Sequence, residues 1–312
     1  MNRASVKRAL ESTTAKVVFL AVVLGCAWWG FGSSGEEVLA ALRETSFARV
    51  LGGQVLVVAG LLLTGLLWRT VLAGYGYALP WRAGMAIFFV GQLGKYVPGS
   101  VWSLGVQAKL AAAHRVPARA TVAASLVFLV LHVTTGGLVV ALLGAWTEVS
   151  STLRVALVVG GALLGATALC APLTRWAGER LAGPGRPLRW GPAQVLIALA
   201  VMSAVWTCYC AALVALVPDP SARAVASISV AFALGYVAGV AVPFAPAGLG
   251  AREGVFLLVL APTLGVAGAA SLAILARVLH TIGDFLVAGL TWLVARHAEA
   301  ERVESGMSEG PA

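Results

Sequence analysis

The sequence predicts an all-α polytopic membrane protein whose two halves form an inverted repeat, each with three spanning helices and one re-entrant or broken helical hairpin. The first observation is composition: of 312 residues, 60% are hydrophobic and 11% are charged, which leaves too little polar surface to cover a soluble domain. The second is a set of apolar runs long enough to cross a bilayer. The third is a pair of apolar regions that proline and glycine interrupt at matching positions of the two halves.

Six uninterrupted apolar runs can cross ~30 Å of hydrocarbon at ~1.5 Å per residue. They are residues 16–32, 50–68, 121–145, 154–171, 194–217 and 269–295. The first run follows a basic segment, as a signal peptide would. It lacks a small-residue cleavage site and ends in Trp28 and Trp29, so we expect a retained span anchored at the interface.

These runs predict one membrane domain over residues 1–297, with the first repeat at about 10–147 and the second at about 154–297. The remaining residues, 298–312, are polar, and we expect them to form a disordered cytoplasmic tail. Each half holds three crossings, an odd number, so the second half is predicted to run upside down relative to the first. In agreement, Ala-Ala-Ser-Leu at 123–126 recurs at 269–272.

Two further apolar regions, 84–105 and 225–262, are interrupted. The first contains Gly-Lys-Tyr-Val-Pro-Gly-Ser-Val-Trp from Gly94, and the second contains Pro-Phe-Ala-Pro-Ala-Gly-Leu-Gly-Ala-Arg-Glu-Gly from Pro243. Irregular backbone is tolerated at membrane depth only where it lines a cavity, so both regions are predicted to be re-entrant hairpins around a binding site. The hairpin and cavity residues predicted on this basis are Gln92, Tyr96, Pro98, Gly99, Trp102, Pro246, Gly248, Gly250 and Glu253.

The basic residues are distributed unevenly between the predicted loops. With the N-terminus inside, 15 of the 22 lysines and arginines fall in cytoplasmic segments, 4 fall outside and 3 lie at membrane depth. Because basic loops are retained in the cytoplasm, this bias predicts a multi-pass protein of the cell membrane with both termini cytoplasmic. The net charge of +9 is therefore attributed to topology, and no nucleic-acid partner is expected.

The three basic residues at membrane depth are Lys95, Arg252 and Arg277, and they are predicted to bind a lipid phosphate. A charged side chain in hydrocarbon costs ~2.5–3.5 kcal/mol on insertion scales, so such residues face a partner or a wet cavity. Two alternatives remain open. Lys95 would reach the headgroups from a shallow hairpin, and Arg252 and Glu253 would pair with other buried groups to hold the second hairpin.

The last span places Arg277, His280 and Asp284 on one face, at i, i+3 and i+7. The favoured interpretation for Asp284 is a contact with Arg277, bridged by His280, that packs the bundle. The alternative is that His280 and Asp284 couple transport to protons. His132, in the third span, is predicted to be a hydrogen-bonded core histidine.

No catalytic or cofactor motif occurs in the sequence. There is no P-loop and no acidic pair in an external loop that would bind a metal-bound sugar donor, and the glycine pairs follow no soluble strand. The four cysteines lie in apolar runs, and the Cys208-x-Cys210 spacing fits no zinc pattern. We therefore expect no enzyme activity, no cofactor and no metal.

At the two hairpins the chain resembles the lysylphosphatidylglycerol synthase transmembrane (flippase-like) family of bacterial and archaeal membrane proteins. The most specific segments are Gly-Lys-Tyr-Val-Pro-Gly at 94–99 and Pro-Ala-Gly-Leu-Gly-Ala-Arg-Glu-Gly at 246–254, and the likeness covers about residues 10–296. The resemblance implies an inverted-repeat bundle that moves or presents anionic or polyprenyl-phosphate lipids. The resemblance is to a stand-alone member of the family, because the aminoacyl-transferring domain of the namesake enzymes is absent. Lysyl transfer by this chain is therefore not expected.

The chain departs from the family pattern at two places. Ser103 and Gln107 stand where members often carry an acidic residue and an arginine, and Leu129 and Val130 stand where a Glu-Arg pair is common. The resemblance then implies that the first-half site is weakened or suited to a different headgroup.

These observations lead to one hypothesis and one alternative. The hypothesis is a flippase-like protein that binds and translocates an anionic phospholipid or a polyprenyl-phosphate-linked lipid for cell-envelope biogenesis. The alternative is a membrane partner of a lipid-linked glycosyltransferase, or of another lipid-modifying or envelope-assembly enzyme, that binds the lipid without moving it. In both cases membrane lipids are the expected partners.

Overall fold

All regular secondary structure is helical in the part of the chain that the computed structural model describes, which is residues 36, 39–40, 43–96, 102–169, 176, 179–180, 189–242 and 245–304. The predicted span at 16–32, as well as Pro98, Gly99 and most of the predicted tail, lies outside these residues. The α-helices are α1 (Phe47–Gly74), α2 (Trp81–Gln92), α3 (Trp102–Ala112), α4 (Ala118–Leu143), α5 (Ser151–Leu169), α6 (Pro192–Val214), α7 (Ala222–Ala241) and α8 (Ala251–Glu304).

Five of these helices, α1, α4, α6, α7 and α8, are long and apolar enough to cross a membrane by length and composition. They confirm the predicted all-α polytopic class. The predicted runs 50–68, 121–145, 194–217 and 269–295 fall within α1, α4, α6 and α8, although α6 ends at Val214 and α4 passes into a short 3₁₀ helix, Gly144–Trp146. The predicted run 154–171 corresponds to the shorter α5.

The first interrupted region forms α2, a 3₁₀ turn (Leu93–Tyr96) and α3, which we call hairpin 1. The turn packs closely on the start of α3, since a Cβ on Gly94 would lie 2.6 Å from the backbone nitrogen of Ser103. Real Cβ atoms do not come so close, so the residue must be glycine. This explains in physical terms why the predicted break contains a glycine at position 94.

The second interrupted region forms α7, a 3₁₀ turn (Pro246–Gly248) and the first arm of α8, residues 251–264, which together are hairpin 2. Gly265 ends that arm with φ +72°, three residues after Pro262, and the second arm runs from 266 to 304. The predicted hairpin and the following span are thus separated by a helix break. At 20 residues, α7 is long enough to span a bilayer alone, and its predicted re-entrant course stays a prediction.

The helices pack around a common aromatic and aliphatic core. Helix α1 contacts both α4 and α6, α7 packs on α8, and α2 also contacts α8. Trp68, Phe88 and Phe128 form part of the core, with the Phe88 ring centroid 5.5 Å from Trp68 and 5.2 Å from Phe128. The 3₁₀ turns of the two hairpins contact each other, which brings the predicted site residues of both halves together.

The same order of elements occurs twice along the described chain. A long helix, a hairpin and a second long helix run from Phe47 to Leu143 and again from Pro192 to Glu304. The inverted orientation of these two units stays a prediction.

Candidate functional site

A cavity of about 440 Å³ lies where the two hairpins meet, bounded by α1, α2, α3, α4, α6, α7 and α8. Residues predicted from the sequence line it on two sides, one formed by hairpin 1 and the other by the last helix. The predicted residues that line it are Gln92, Lys95, Tyr96, Gly248, Arg252, Arg277, His280 and Asp284. Of the other predicted residues, Glu253 borders a small void beside Arg252 and Arg277, and Trp102 begins α3 with its side chain 54% exposed.

Asp284 joins the last helix to hairpin 1. Its Oδ2 atom lies 2.6 Å from Lys95 Nζ and accepts a hydrogen bond of 2.6 Å from the Tyr96 hydroxyl. The Tyr96 ring also stacks on Phe285, with centroids 5.5 Å apart. Asp284 is 3% exposed, so this carboxylate is enclosed by its two donors.

The prediction that Asp284 contacts Arg277 through His280 is wrong. An i, i+7 pair is two turns apart, about 10 Å along a helix, whereas Lys95 approaches from a separate element at 2.6 Å. The alternative in which Lys95 only reaches the headgroups is not what the structure shows either, since its ammonium is paired with Asp284.

Arg277 instead pairs with Glu253 on the first arm of α8. Its Nε donates to Glu253 Oε1 at 2.7 Å, and Nη2 lies 2.7 Å from the same oxygen. The second carboxylate oxygen accepts from the backbone nitrogen of Gly250 at 2.7 Å, as the third residue of a helix does when it caps the first turn. Glu253 is therefore occupied on both oxygens.

Arg252 has no ion pair with any described carboxylate. Its guanidinium carbon lies 5.4 Å from the centroid of the Phe232 ring, and its methylene stem crosses Gly239, where a Cβ would lie 3.0 Å from Arg252 Cγ. Glycine at 239 thus makes room for this side chain. Because both nearby acids are occupied, Arg252 is a half-buried cation that lines the cavity without a charge partner among the described residues.

Two histidines line the same cavity. His280 Nδ1 lies 2.8 Å from the carbonyl oxygen of Ala276, on its own helix, while its buried Nε2 has no hydrogen-bond partner in the described chain. His132 is 3% exposed and stacks on Tyr236 with centroids 4.2 Å apart. Neither ring nitrogen of His132 has a described partner, so the predicted hydrogen-bonded core histidine is buried as expected but is not hydrogen-bonded there.

An aromatic wall completes the cavity and was missed at the sequence level. Phe232 and Tyr236 line it from α7, and Tyr209 lines it from α6. Phe232 and Tyr236 have i, i+4 spacing in the helix before the second interruption, a signal that places both on one face. Applying that spacing to the hairpin arm would have found them.

The neutral residues at the departures from the family pattern also lie here. Ser103, Gln107 and Leu129 line the cavity, and Gln107 is 2% exposed. Gln107 accepts a hydrogen bond from Ser125, whose hydroxyl oxygen in turn accepts one of 2.9 Å from Trp68 Nε1. The wall contributed by α3 is therefore polar but uncharged, and no group of His, Cys, Asp and Glu suited to a metal occurs among the residues that the structure describes.

Comparison with protein families matches residues 16–288 to the model described as lysylphosphatidylglycerol synthase TM region. A search of curated proteins finds no match. With five helices able to span a bilayer, the family match identifies an integral membrane protein linked to lipid handling.

Proposed function

We propose, because the chain belongs to the lysylphosphatidylglycerol synthase TM region family, that it binds and translocates an anionic phospholipid or a polyprenyl-phosphate-linked lipid for cell-envelope biogenesis. In this proposal Lys95, Arg252 and Arg277 provide the positive potential for the lipid phosphate. The protein sits in the cell membrane with both termini cytoplasmic, and we assign it no catalytic step.

The observation that carries the proposal is the unpaired charge of Arg252. A half-buried guanidinium in an apolar bundle is costly unless an anion accompanies it, and the two nearest carboxylates are bound to Lys95 and Arg277. A phosphodiester is a suitable anion, because its oxygens match the fork of the guanidinium donors. Arg252 is also the second residue of α8, where free backbone amides and the helix dipole favour negative charge.

The size of the cavity supports a headgroup as the bound part. A volume of about 440 Å³ lies in the range of small-molecule sites, so it accepts a phosphate and its substituent while the long hydrocarbon chains stay in the bilayer. A site of this kind at the meeting point of two hairpins allows the headgroup to leave one leaflet and enter the other when the two halves rock about it.

The decisive experiment measures lipid translocation in proteoliposomes that contain the purified full chain. Wild type and Arg252→Gln are compared with phosphatidylglycerol, lysyl-phosphatidylglycerol and a polyprenyl-phosphate sugar as labelled lipids. We expect Arg252→Gln to slow translocation at least about tenfold, the effect of losing one charge-assisted contact to the phosphate.

The matched control is Arg223→Gln, which removes an arginine that is 69% exposed and pairs with Glu148 outside the cavity. It should translocate lipid like wild type. Full activity of Arg252→Gln would disprove the role of Arg252. Tight lipid binding by wild type without any translocation would instead favour the non-transporting partner of a lipid-modifying enzyme.

A further inference from the structure

The histidines that line the cavity include a ring nitrogen that accepts hydrogen bonds, and a phosphate oxygen cannot donate one to it. His280 Nδ1 faces a carbonyl oxygen, which only accepts, so in the neutral ring Nδ1 carries the proton and Nε2 is an acceptor. This Nε2 is buried without a described partner. A buried acceptor in that state calls for a donor from a ligand or from water.

His132 adds a second requirement of the same kind. It is 3% exposed, it lines the cavity, and neither of its nitrogens has a described partner, so the neutral ring offers one donor and one acceptor. Its neighbour Trp206 is not in this position, because the indole nitrogen donates to Thr135 at 3.0 Å. Among the described residues that line the cavity, buried side-chain atoms without a hydrogen-bond partner occur on His132, His280 and Arg277, and only the two imidazoles include an acceptor.

Three ligand groups can be compared at these imidazoles. A phosphate oxygen only accepts, so it leaves His280 Nε2 without a donor. An ammonium group donates, but it would enter a cavity where Asp284 and Glu253 are already paired and Arg252 is not. A hydroxyl both donates and accepts, and it adds no charge.

Arg252 and His280 lie beside the same aromatic ring, that of Phe232, so the anion site and this imidazole are close together. The Phe232 ring centroid lies 5.4 Å from the guanidinium carbon of Arg252 and 5.0 Å from the His280 ring, so the two groups are no farther apart than those distances together. A phosphate and the hydroxyls of the polyol esterified to it are likewise separated by only a few bonds.

From these contacts we infer that the cavity selects a headgroup in which a phosphodiester carries an uncharged polyol, glycerol or a sugar, with the phosphate at Arg252 and hydroxyls at His280 and His132. This inference rests on the proposed function and narrows its substrate class. It excludes an aminoacylated headgroup as the preferred ligand.

The test is a binding titration of the purified full chain in nanodiscs with three anionic lipids of matched charge and one cationic lipid. Phosphatidylglycerol and phosphatidylinositol carry hydroxyls, phosphatidylmethanol is a phosphodiester without them, and lysyl-phosphatidylglycerol adds ammonium groups. We expect at least one hydroxylated lipid to bind about tenfold tighter than phosphatidylmethanol, the ratio that one or two hydrogen bonds produce. The stronger of the two distinguishes glycerol from a cyclic polyol.

Two variants assign this preference to the imidazoles. His280→Phe and His132→Phe keep a ring of similar size, and each should reduce the preference to between about one- and threefold while phosphatidylmethanol still binds. His297→Phe is the matched control, since exposed His297 makes the same contact, 2.9 Å to the carbonyl oxygen of Leu293, outside the cavity. It should behave as wild type.

The outcomes separate this inference from the proposed function. The polyol assignment would be overturned if wild type bound the hydroxylated lipids and phosphatidylmethanol equally, or if it bound lysyl-phosphatidylglycerol most tightly. Equal losses of binding for all lipids in the two Phe variants would also overturn it. Wild-type binding of every lipid by Arg252→Gln would overturn the proposed phosphate site itself.

Discussion

At the scale of single residues, the charge balance of the cavity depends on which carboxylates are occupied. Asp284 accepts from Lys95 and Tyr96, and Glu253 accepts from Arg277 and the Gly250 amide. These pairings occupy the two acids and leave Arg252 without a carboxylate partner among the described residues. The Asp284 pair has a second consequence, because it connects hairpin 1 to the last helix.

We expect Asp284→Ala to destabilise the protein by about 2 kcal/mol. Loss of one partner of a buried ion pair costs ~3–5 kcal/mol, and the smaller value reflects the 37% exposure of the Lys95 side chain. The melting midpoint of the detergent-purified protein should fall. Adding Lys95→Met should recover part of the loss, since it removes the cation that Asp284→Ala leaves unpaired.

The order of the melting midpoints makes this prediction testable without a reversible transition. Wild type should melt highest, the double variant next and Asp284→Ala lowest. If the double variant melts below Asp284→Ala, the two residues act independently and the ion pair does not connect the elements.

The sequence predicts which charges lie at the site but not how they pair. Lys95, Arg252 and Arg277 are recognisable because each interrupts or follows an apolar run, a local property. The partner of Asp284 is 189 positions away in the chain, since it is residue 95, and only tertiary packing brings it within 2.6 Å. Local spacing favoured Arg277, and that choice was wrong.

At the scale of elements, the two hairpins depend on glycines where backbones meet. Gly248 combines φ +70° with a Cβ position that would lie 2.6 Å from Gly239 Cα, and Gly94 faces the backbone of Ser103 at the same distance. Both contacts lie at the turns that bound the cavity. The glycines are therefore needed for close packing as well as for conformational freedom.

We expect Gly248→Ala to be more damaging than Gly76→Ala. Gly76 also has a positive φ, +87°, but open space where a Cβ would be, so alanine there incurs only the left-handed backbone cost of about 1–2 kcal/mol. Alanine at 248 incurs that cost and also overlaps the backbone of α7. Melting midpoints of the two variants provide the comparison, and an equal decrease would show that hairpin 2 tolerates separation from Gly239.

The lengths of the apolar helices can also be predicted from the sequence. The division of these helices into hairpin arms and spans is harder to predict. The runs that became α1, α4 and α6 are uninterrupted and apolar over their whole length, so each predicts a spanning helix. The division of α8 at Gly265 into a hairpin arm and a second arm is not marked by a loop, because helix continues on both sides of a single glycine. Only the positive φ of Gly265 separates the two arms.

At the scale of the whole molecule, two contacts join segments that the basic-residue bias places on the same side of the membrane. Arg223 and Glu148, both predicted to be external, approach to 3.4 Å. The backbone nitrogen of Arg189 donates to the carbonyl oxygen of Gly74 at 2.9 Å, and both are predicted to be cytoplasmic. These contacts fit the predicted orientation, in which hairpin 1 enters from the cytoplasm and hairpin 2 from outside.

The orientation is testable by cysteine labelling in intact cells, in a background without the four native cysteines. Asp219→Cys and Ser150→Cys occupy exposed turns predicted to be external, and Ala113→Cys occupies an exposed turn predicted to be cytoplasmic. A membrane-impermeant maleimide should label the first two directly and the third only after permeabilisation, because basic segments flank residue 113. The reverse pattern would contradict the predicted orientation. Labelling of all three in intact cells would contradict any arrangement in which α4 crosses the bilayer. It would then also contradict the proposed path through the cavity by which a lipid headgroup passes between leaflets.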